Sequence, residues 1–207
     1  MEPYYYQTLS KAEQSSYQAM QAGLQAFAPS FPVPLLENRA LTDVFMKLRL
    51  DCPQLFYAGT FQYRYYPDSR NAELIPAYLF EKGKLKEHQK ALQARVEKLV
   101  RPVAKCGDEE KLLYIHDFIC KNVRYDKLKK QYSHEIIGVL GHGVGVCEGI
   151  AKAVKILCDA LQIQCIIALA ENNPEKGVKY RHAWNVVRLD KKYYHLDCTF
   201  DLSLGNP

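Results

Sequence analysis

The sequence has no Cys-x-x-Cys pair, no internal repeat, no low-complexity segment and a single tryptophan. Its longest fully apolar run is CIIALA at 165–170. Each absence removes a class of protein. Without paired cysteines at short spacing a structural zinc site has no ligand set, so no metal is expected. Six apolar residues are far fewer than the roughly 20 that a membrane-spanning helix needs. Seven cysteines, an odd number scattered from Cys52 to Cys198, do not make a disulfide framework and point to a reduced chain. Charge of one sign is also scarce: 28 basic against 23 acidic side chains leave +5. Lysines gather at 82–90 and 121–130, but no nucleic-acid-binding module accompanies them. Solvated helix faces account for them, and neither nucleic acid nor a membrane is expected as a partner. MEPYYYQTLS lacks a basic stretch followed by an apolar core, so the sequence as written reads as cytoplasmic, or as secreted if Met1 is not the natural start.

What remains is an ordinary globular composition, 48% hydrophobic and 25% charged over 207 residues. That is enough apolar material for a core without covalent staples. Ser10 and Glu13 form a capping box, followed by Tyr17, Met20, Leu24 and Phe27 at helical spacing. PSFPVP at 29–34 breaks this helix. Leu41, Val44, Phe45 and Leu48 mark a second helix. QLFYAGTFQYRYY and AELIPAYLF flank PDSRN as a β-hairpin. Leu85, Leu92, Val96 and Leu99 mark a third helix, ending before Pro102. Asp108 caps a fourth, whose buried stripe is Leu112, Ile115, Ile119 and Val123, with His116 packed and hydrogen-bonded beside it. After a cysteine-bearing helix come a buried strand at 163–170, a loop at ENNPEKG, and the strands HAWNVVRL and YYHLDCTF. The order is α+β: an N-terminal helical and hairpin subdomain, 1–102, and a second part, 103–207.

The cysteine helix carries the first chemical signal. Ile150, Val154, Leu157 and Leu161 form one apolar stripe at 3.6 residues per turn. Gly141, Gly143 and Gly145 precede it, and Cys147 sits at its first turn. Unpaired N–H groups and the positive end of the helix dipole favour an anion there, so the position favours a thiolate. Cys158, in the helix body, reads as a small core hydrophobe.

A cysteine nucleophile needs a base, and the base an orienting group. A two-residue turn at Asp190-Lys191 pairs Leu189 with Lys192 and, further along, Trp184 with Asp197. His182 is then a same-face diagonal neighbour of Asp197, about 7–8 Å away between backbones and closer between side chains. A three-residue turn would reverse the parity and bring Asn185 forward as the orienting group. His195 shares the face of Asp197.

GVGVCEGIAKAVKILCDALQI and RHAWNVVRLDKKYYHLDCTFD resemble the core of the transglutaminase-like superfamily, which includes bacterial members classed as cysteine proteases. The shared pattern is a Gly-x-Cys opening a helix, a His-Ala-Trp-Asn strand and an Asp-x-Thr-aromatic-Asp strand. YIHDFICKNVRYD at 114–126 is similar to the helix that precedes this core in bacterial members, and DCPQLFY more weakly to an N-terminal region of some. The resemblance covers about 105–207. It implies a papain-like α+β fold, a Cys-bearing helix packed on an antiparallel sheet, with Cys147 as nucleophile, His182 as base and acid, and Asp197 as orienting group. Lys191 stands where the family often has glycine. The resemblance further implies sheet beyond Pro207, leaving Asp197–Phe200 as a paired strand, a loop-like end after Asp201 and an exposed edge through which copies of the chain could associate.

The reaction so implied is thiol-dependent acyl transfer on peptide or glutamine amides, without a cofactor. Peptide or protein is the substrate class, cell-wall peptide among them, and hydrolysis the leading outcome. A cross-linking transglutaminase and a non-catalytic peptide-binding module are the alternatives, and a zinc site on Cys147, His182 and Asp197 would lack a fourth ligand. The Cys147 N–H is one oxyanion donor; for the second, His142 and Asn122 are both open.

Overall fold

The computed structural model describes residues 3–171, 175 and 181–205; most of ENNPEKG lies outside them. The chain divides into two compact units, 2–87 and 88–207.

In the first unit, α1 (Tyr4–Gln7) precedes α2 (Lys11–Gln25), which opens on the expected capping box. Ser10 Oγ accepts from the Glu13 N–H, while the Glu13 carboxylate accepts from Ser10. Tyr17, Met20 and Leu24 are buried along α2, as are Leu41, Val44, Phe45 and Leu48 along α3 (Asn38–Asp51). The Asp51 carboxylate accepts from the Tyr5 and Tyr6 N–H groups and the Tyr17 hydroxyl, tying α1 to the end of α3. The hairpin forms from β2 (Ala58–Tyr65) and β3 (Asn71–Tyr78). PSFPVP does more than end a helix: Phe31–Pro34 is a strand, β1, antiparallel to β3 on the sheet edge. Two prolines hide it from sequence patterning, yet an edge strand leaves its outer N–H groups unpaired and tolerates them.

The division between the units falls within α4 (Lys82–Val100). In the second unit, α5 (Asp108–Asn122) is capped by Gly107, and Asp108 is its first helical residue, bonded to Lys111 at 2.9 Å. That corrects the expected cap. The acidic side chains Asp108, Glu109 and Glu110 still complement the helix dipole in the first turn. Leu112, Ile115 and Ile119 are buried as the spacing requires. The short strands β4 (Arg124–Tyr125) and β5 (Val144–Gly145) pair in parallel. Then comes α6 (Cys147–Ala160), with Ile150, Val154, Leu157 and, just past its end, Leu161 buried. It packs against α5 on one side and, on the other, against the antiparallel sheet β6 (Cys165–Ala170), β7 (His182–Leu189) and β8 (Lys192–Leu196).

The loop between β7 and β8 has the two-residue form. Leu189 pairs with Lys192 and the register runs back to Asn185 against Leu196. Asp190 and Lys191 both have positive φ, 47° and 64°, the pattern of a type I′ turn, whose twist matches that of the strands. Glycine holds such a conformation without steric cost, so Lys191→Gly should raise stability by about 1 kcal/mol. A urea midpoint no higher than wild type would contradict this.

The chain end departs from expectation. Asp197–Phe200 is not a strand. Asp197 is the N-cap of α7 (Cys198–Leu204), its Oδ1 accepting from the Phe200 N–H at 3.0 Å, and Gly205 closes the helix with φ 68°. Helix therefore replaces both the expected strand and the expected loop after Asp201. The cause is local: Asp197 has the side chain of an N-cap and Asp201 favours the first turn. The described sheet has β6 at one edge and β8 at the other.

Candidate active site

Cys147 is the first residue of α6 and is half-buried. No side chain caps the helix; Val146 before it is extended. The turn leading in is held tightly. Gly143 has φ 65°, and a Cβ there would sit 3.0 Å from the Asn122 carbonyl oxygen. The Arg124 N–H donates to Gly143 and the Asp126 N–H to Gly145, both at 2.9 Å. Ser133 O accepts from the Val146 N–H at 3.0 Å and lies 2.2 Å from where a Cβ on Gly149 would be. The segment 131–134 thus lies directly on the first turn of α6, and only a glycine at 149 allows that approach. Asp126 anchors the segment by accepting from the Ser133 hydroxyl and from the Leu128 and Lys130 N–H groups, which hold its carboxyl below the usual range.

A buried ionic network reinforces the same turn. Lys152, fully buried, donates to Glu135 at 2.9 Å and to the His134 carbonyl at 3.1 Å, and pairs with Glu148 at 2.6 Å. The other Glu148 oxygen meets His134 Nδ1 at 3.2 Å. Sequence reading missed this network. Its one local signal is the four-residue spacing of Glu148 and Lys152; Glu135 joins only through the fold.

His182 begins β7, and its Nε2 donates to Asp197 Oδ2 at 2.6 Å. That leaves Nδ1 free to exchange a proton with a thiol. The two Asp197 oxygens divide the work: Oδ2 holds the imidazole and Oδ1 caps α7. Asn185, the alternative orienting group, faces the other way. It is buried and donates to the Ala151 carbonyl of α6 at 3.0 Å. His195 accepts from the Trp184 indole N–H at 2.8 Å, and the Trp184 ring stacks on His182. Among the described residues, no hydrogen bond joins Cys147 Sγ to His182: the structure joins His182 to Asp197 and sets the thiol at the helix mouth.

Tyr125, paired with Gly145, is a neighbour that sequence reading did not single out. Partial burial and the charge of Cys147 raise its phenol pKa, which marks the side chain as lying within electrostatic reach of the thiol. Of the two open oxyanion candidates, Asn122 gives its amide to the Phe118 carbonyl at 2.9 Å, and His142 packs against the Tyr132 ring. His116 is the packed, bonded histidine that was expected: it joins Asp201 at 3.2 Å, linking α5 to α7. Four other thiols have raised pKa values. A hydrogen bond with Cys165, then burial, raises Cys158; burial chiefly raises Cys198 and Cys120; a hydrogen bond with Glu110 raises Cys106. Among the described residues no cluster of His, Cys, Asp or Glu is arranged to hold a metal ion, and no helix is long and apolar enough to cross a membrane.

Residues 96–198 match the family described as the transglutaminase-like superfamily. A solved structure of a TGase shares 11% identity at a TM-score of 0.46, over 69% of this chain and 44% of that one. A "putative cysteine protease" from Cytophaga hutchinsonii shares 16% at 0.42, over 68% and 61%. A "putative protease" from Parabacteroides distasonis shares 15% at 0.40, over 67% and 36%. The chain thus spans less than two thirds of the length of each of these structures. A search of curated proteins finds no match.

Proposed function

Residues 96–198 belong to the transglutaminase-like superfamily, a family of thiol enzymes, and from that premise we propose that the chain is a thiol acyl-transfer enzyme, hydrolytic in outcome, acting on peptide or glutamine amides through Cys147, His182 and Asp197. The observation that carries this reading is the 2.6 Å bond from His182 Nε2 to Asp197, which turns Nδ1 outward as the proton-handling nitrogen. Cys147, at the positive end of α6, is the nucleophile. A catalytic hydrogen bond that is loose without substrate tightens in the complex.

The thiol passes its proton to His182 and the thiolate attacks the amide carbon, forming a C–S bond and an oxyanion. The imidazolium returns the proton to the departing nitrogen as the C–N bond breaks, leaving a thioester. Water, deprotonated by His182, then attacks the thioester, and the C–S bond breaks to regenerate the thiol and release an acid. The Cys147 N–H and the Tyr125 hydroxyl are donors for the oxyanion in this reading. A primary amine in place of water would give cross-linking instead.

Brief iodoacetamide treatment at mildly acidic pH, followed by tryptic mapping, should label Cys147 first, because a thiolate is the reactive form and Cys106, Cys120, Cys158 and Cys198 are pushed toward the thiol. Modification of Cys106 or Cys198 ahead of Cys147 would overturn the assignment. Mass spectrometry of peptide amides, glutamine peptides and cell-wall stem peptides, with and without a primary amine, then separates hydrolysis from transamidation.

A further inference from the structure

Trp184 is the only tryptophan in the chain. It stands two residues after His182 on the same face of β7. That face is not the one packed on α6: Ala183, Asn185 and Val187 are buried, whereas His182, Trp184 and Val186 are half-exposed. The indole is therefore not held by core packing. Two specific contacts hold it. Its ring stacks on the His182 imidazole, centroids 5.7 Å apart and planes 15° from parallel. Its N–H donates to Nδ1 of His195, an exposed residue of β8, at 2.8 Å. Since His195 Nδ1 accepts, its proton is on Nε2.

His182 is thus gripped in two directions, by its edge and by its face. Asp197 takes Nε2, and Trp184 covers one side of the ring. Both restraints lead to β8 and the residue after it, because His195 and Asp197 are two apart and share a face. A flat aromatic surface within about 6 Å of a cationic ring stabilises the cation. An indole can turn about its side-chain bonds, however, and only the bond to His195 fixes which surface it presents.

We propose that Trp184 is a positioning residue that holds His182 and favours its protonated form, and that His195 aims Trp184. This rests on the reading of His182 as the proton-transfer group. It gives a role to His195, which stands two residues before the orienting carboxylate and bonds to the Trp184 indole.

The test is the protonation midpoint of His182, followed by ring 1H–15N correlation NMR, together with fluorescence of the single tryptophan. His195→Leu removes the acceptor. The midpoint of His182 is expected to fall by about half a pH unit, with a change in indole emission. Losing a neighbouring imidazole removes a like charge, which by itself would raise the midpoint, so a fall reads the lost tether. His195→Gln offers a carbonyl oxygen to the indole and should restore both readouts. Trp184→Leu should lower the midpoint at least as far. If that variant does not fold, His195→Leu, at an exposed site, still decides the matter. A midpoint in His195→Leu equal to or above wild type overturns the proposal. Turnover is read separately. If Cys147→Ala leaves turnover intact, the acyl-transfer reading fails and the midpoint comparison still stands; if Cys147→Ala abolishes turnover and His195→Leu leaves the midpoint in place, only this inference fails.

Discussion

Asp197→Asn should cost about as much activity as Asp197→Ala, on the order of a thousandfold or more in kcat, while only the alanine variant loses stability. The reason is the division of labour between the two carboxylate oxygens. Oδ1 accepts from the Phe200 N–H and caps α7; Oδ2 accepts from His182 Nε2 at 2.6 Å. An asparagine has one acceptor. Asparagine is as good an N-cap as aspartate, so its oxygen stays on Phe200 and its NH2 group turns to His182. That forces Nε2 to accept, moves the ring proton to Nδ1, and presents a donor where the thiol proton should be received. Alanine removes both contacts, and loss of the cap costs about 1 kcal/mol. Steady-state kinetics and urea unfolding of the two variants check this together. An asparagine variant with turnover near wild type would show that the second oxygen does not set the tautomer.

Lys152→Met should lower stability by about 3–5 kcal/mol, a large part of the 5–15 kcal/mol typical of a folded domain. Lys152 is fully buried between Glu135, itself buried, and Glu148, the residue after Cys147. Removing the cation leaves two carboxylates without it, one of them out of reach of water. The double variant Lys152→Met, Glu135→Leu should recover part of the loss, because replacing a whole buried pair with apolar groups is far milder than breaking it. Urea midpoints of the single and double variants give the comparison. A single variant within 1 kcal/mol of wild type would mean that the network contributes little. A lower rate of Cys147 alkylation in the single variant is also expected, since the network fixes the first turn of α6 against 131–135.

The sequence by itself determined what is local. The apolar stripe Ile150, Val154, Leu157 and Leu161 was legible because helical period fixes which side chains share a face, and all four are buried. The pairing of β7 with β8 was legible because a two-residue loop at Asp190-Lys191 allows one register, and that register sets His182 and Asp197 diagonally on one face. The glycine-flanked Cys147 stood out because a helix start has its own residue signature. Only the tertiary structure decided the rest. Apolar alternation in YYHLDCTF could not show that the strand stops at Leu196 and that Asp197 turns the chain into α7. Strand β1 exists because β3, far along the chain, offers it a partner: Phe31 pairs with Leu74 and Pro34 with Asn71. Glu135 and Ser133 reach the cysteine turn from a segment that carries no motif, and Tyr125, although it lies inside YIHDFICKNVRYD, meets that turn only through the pairing of β4 with β5. A hydrogen bond or ion pair depends on distance in space, and residues that are far apart in sequence meet only after the whole core has packed.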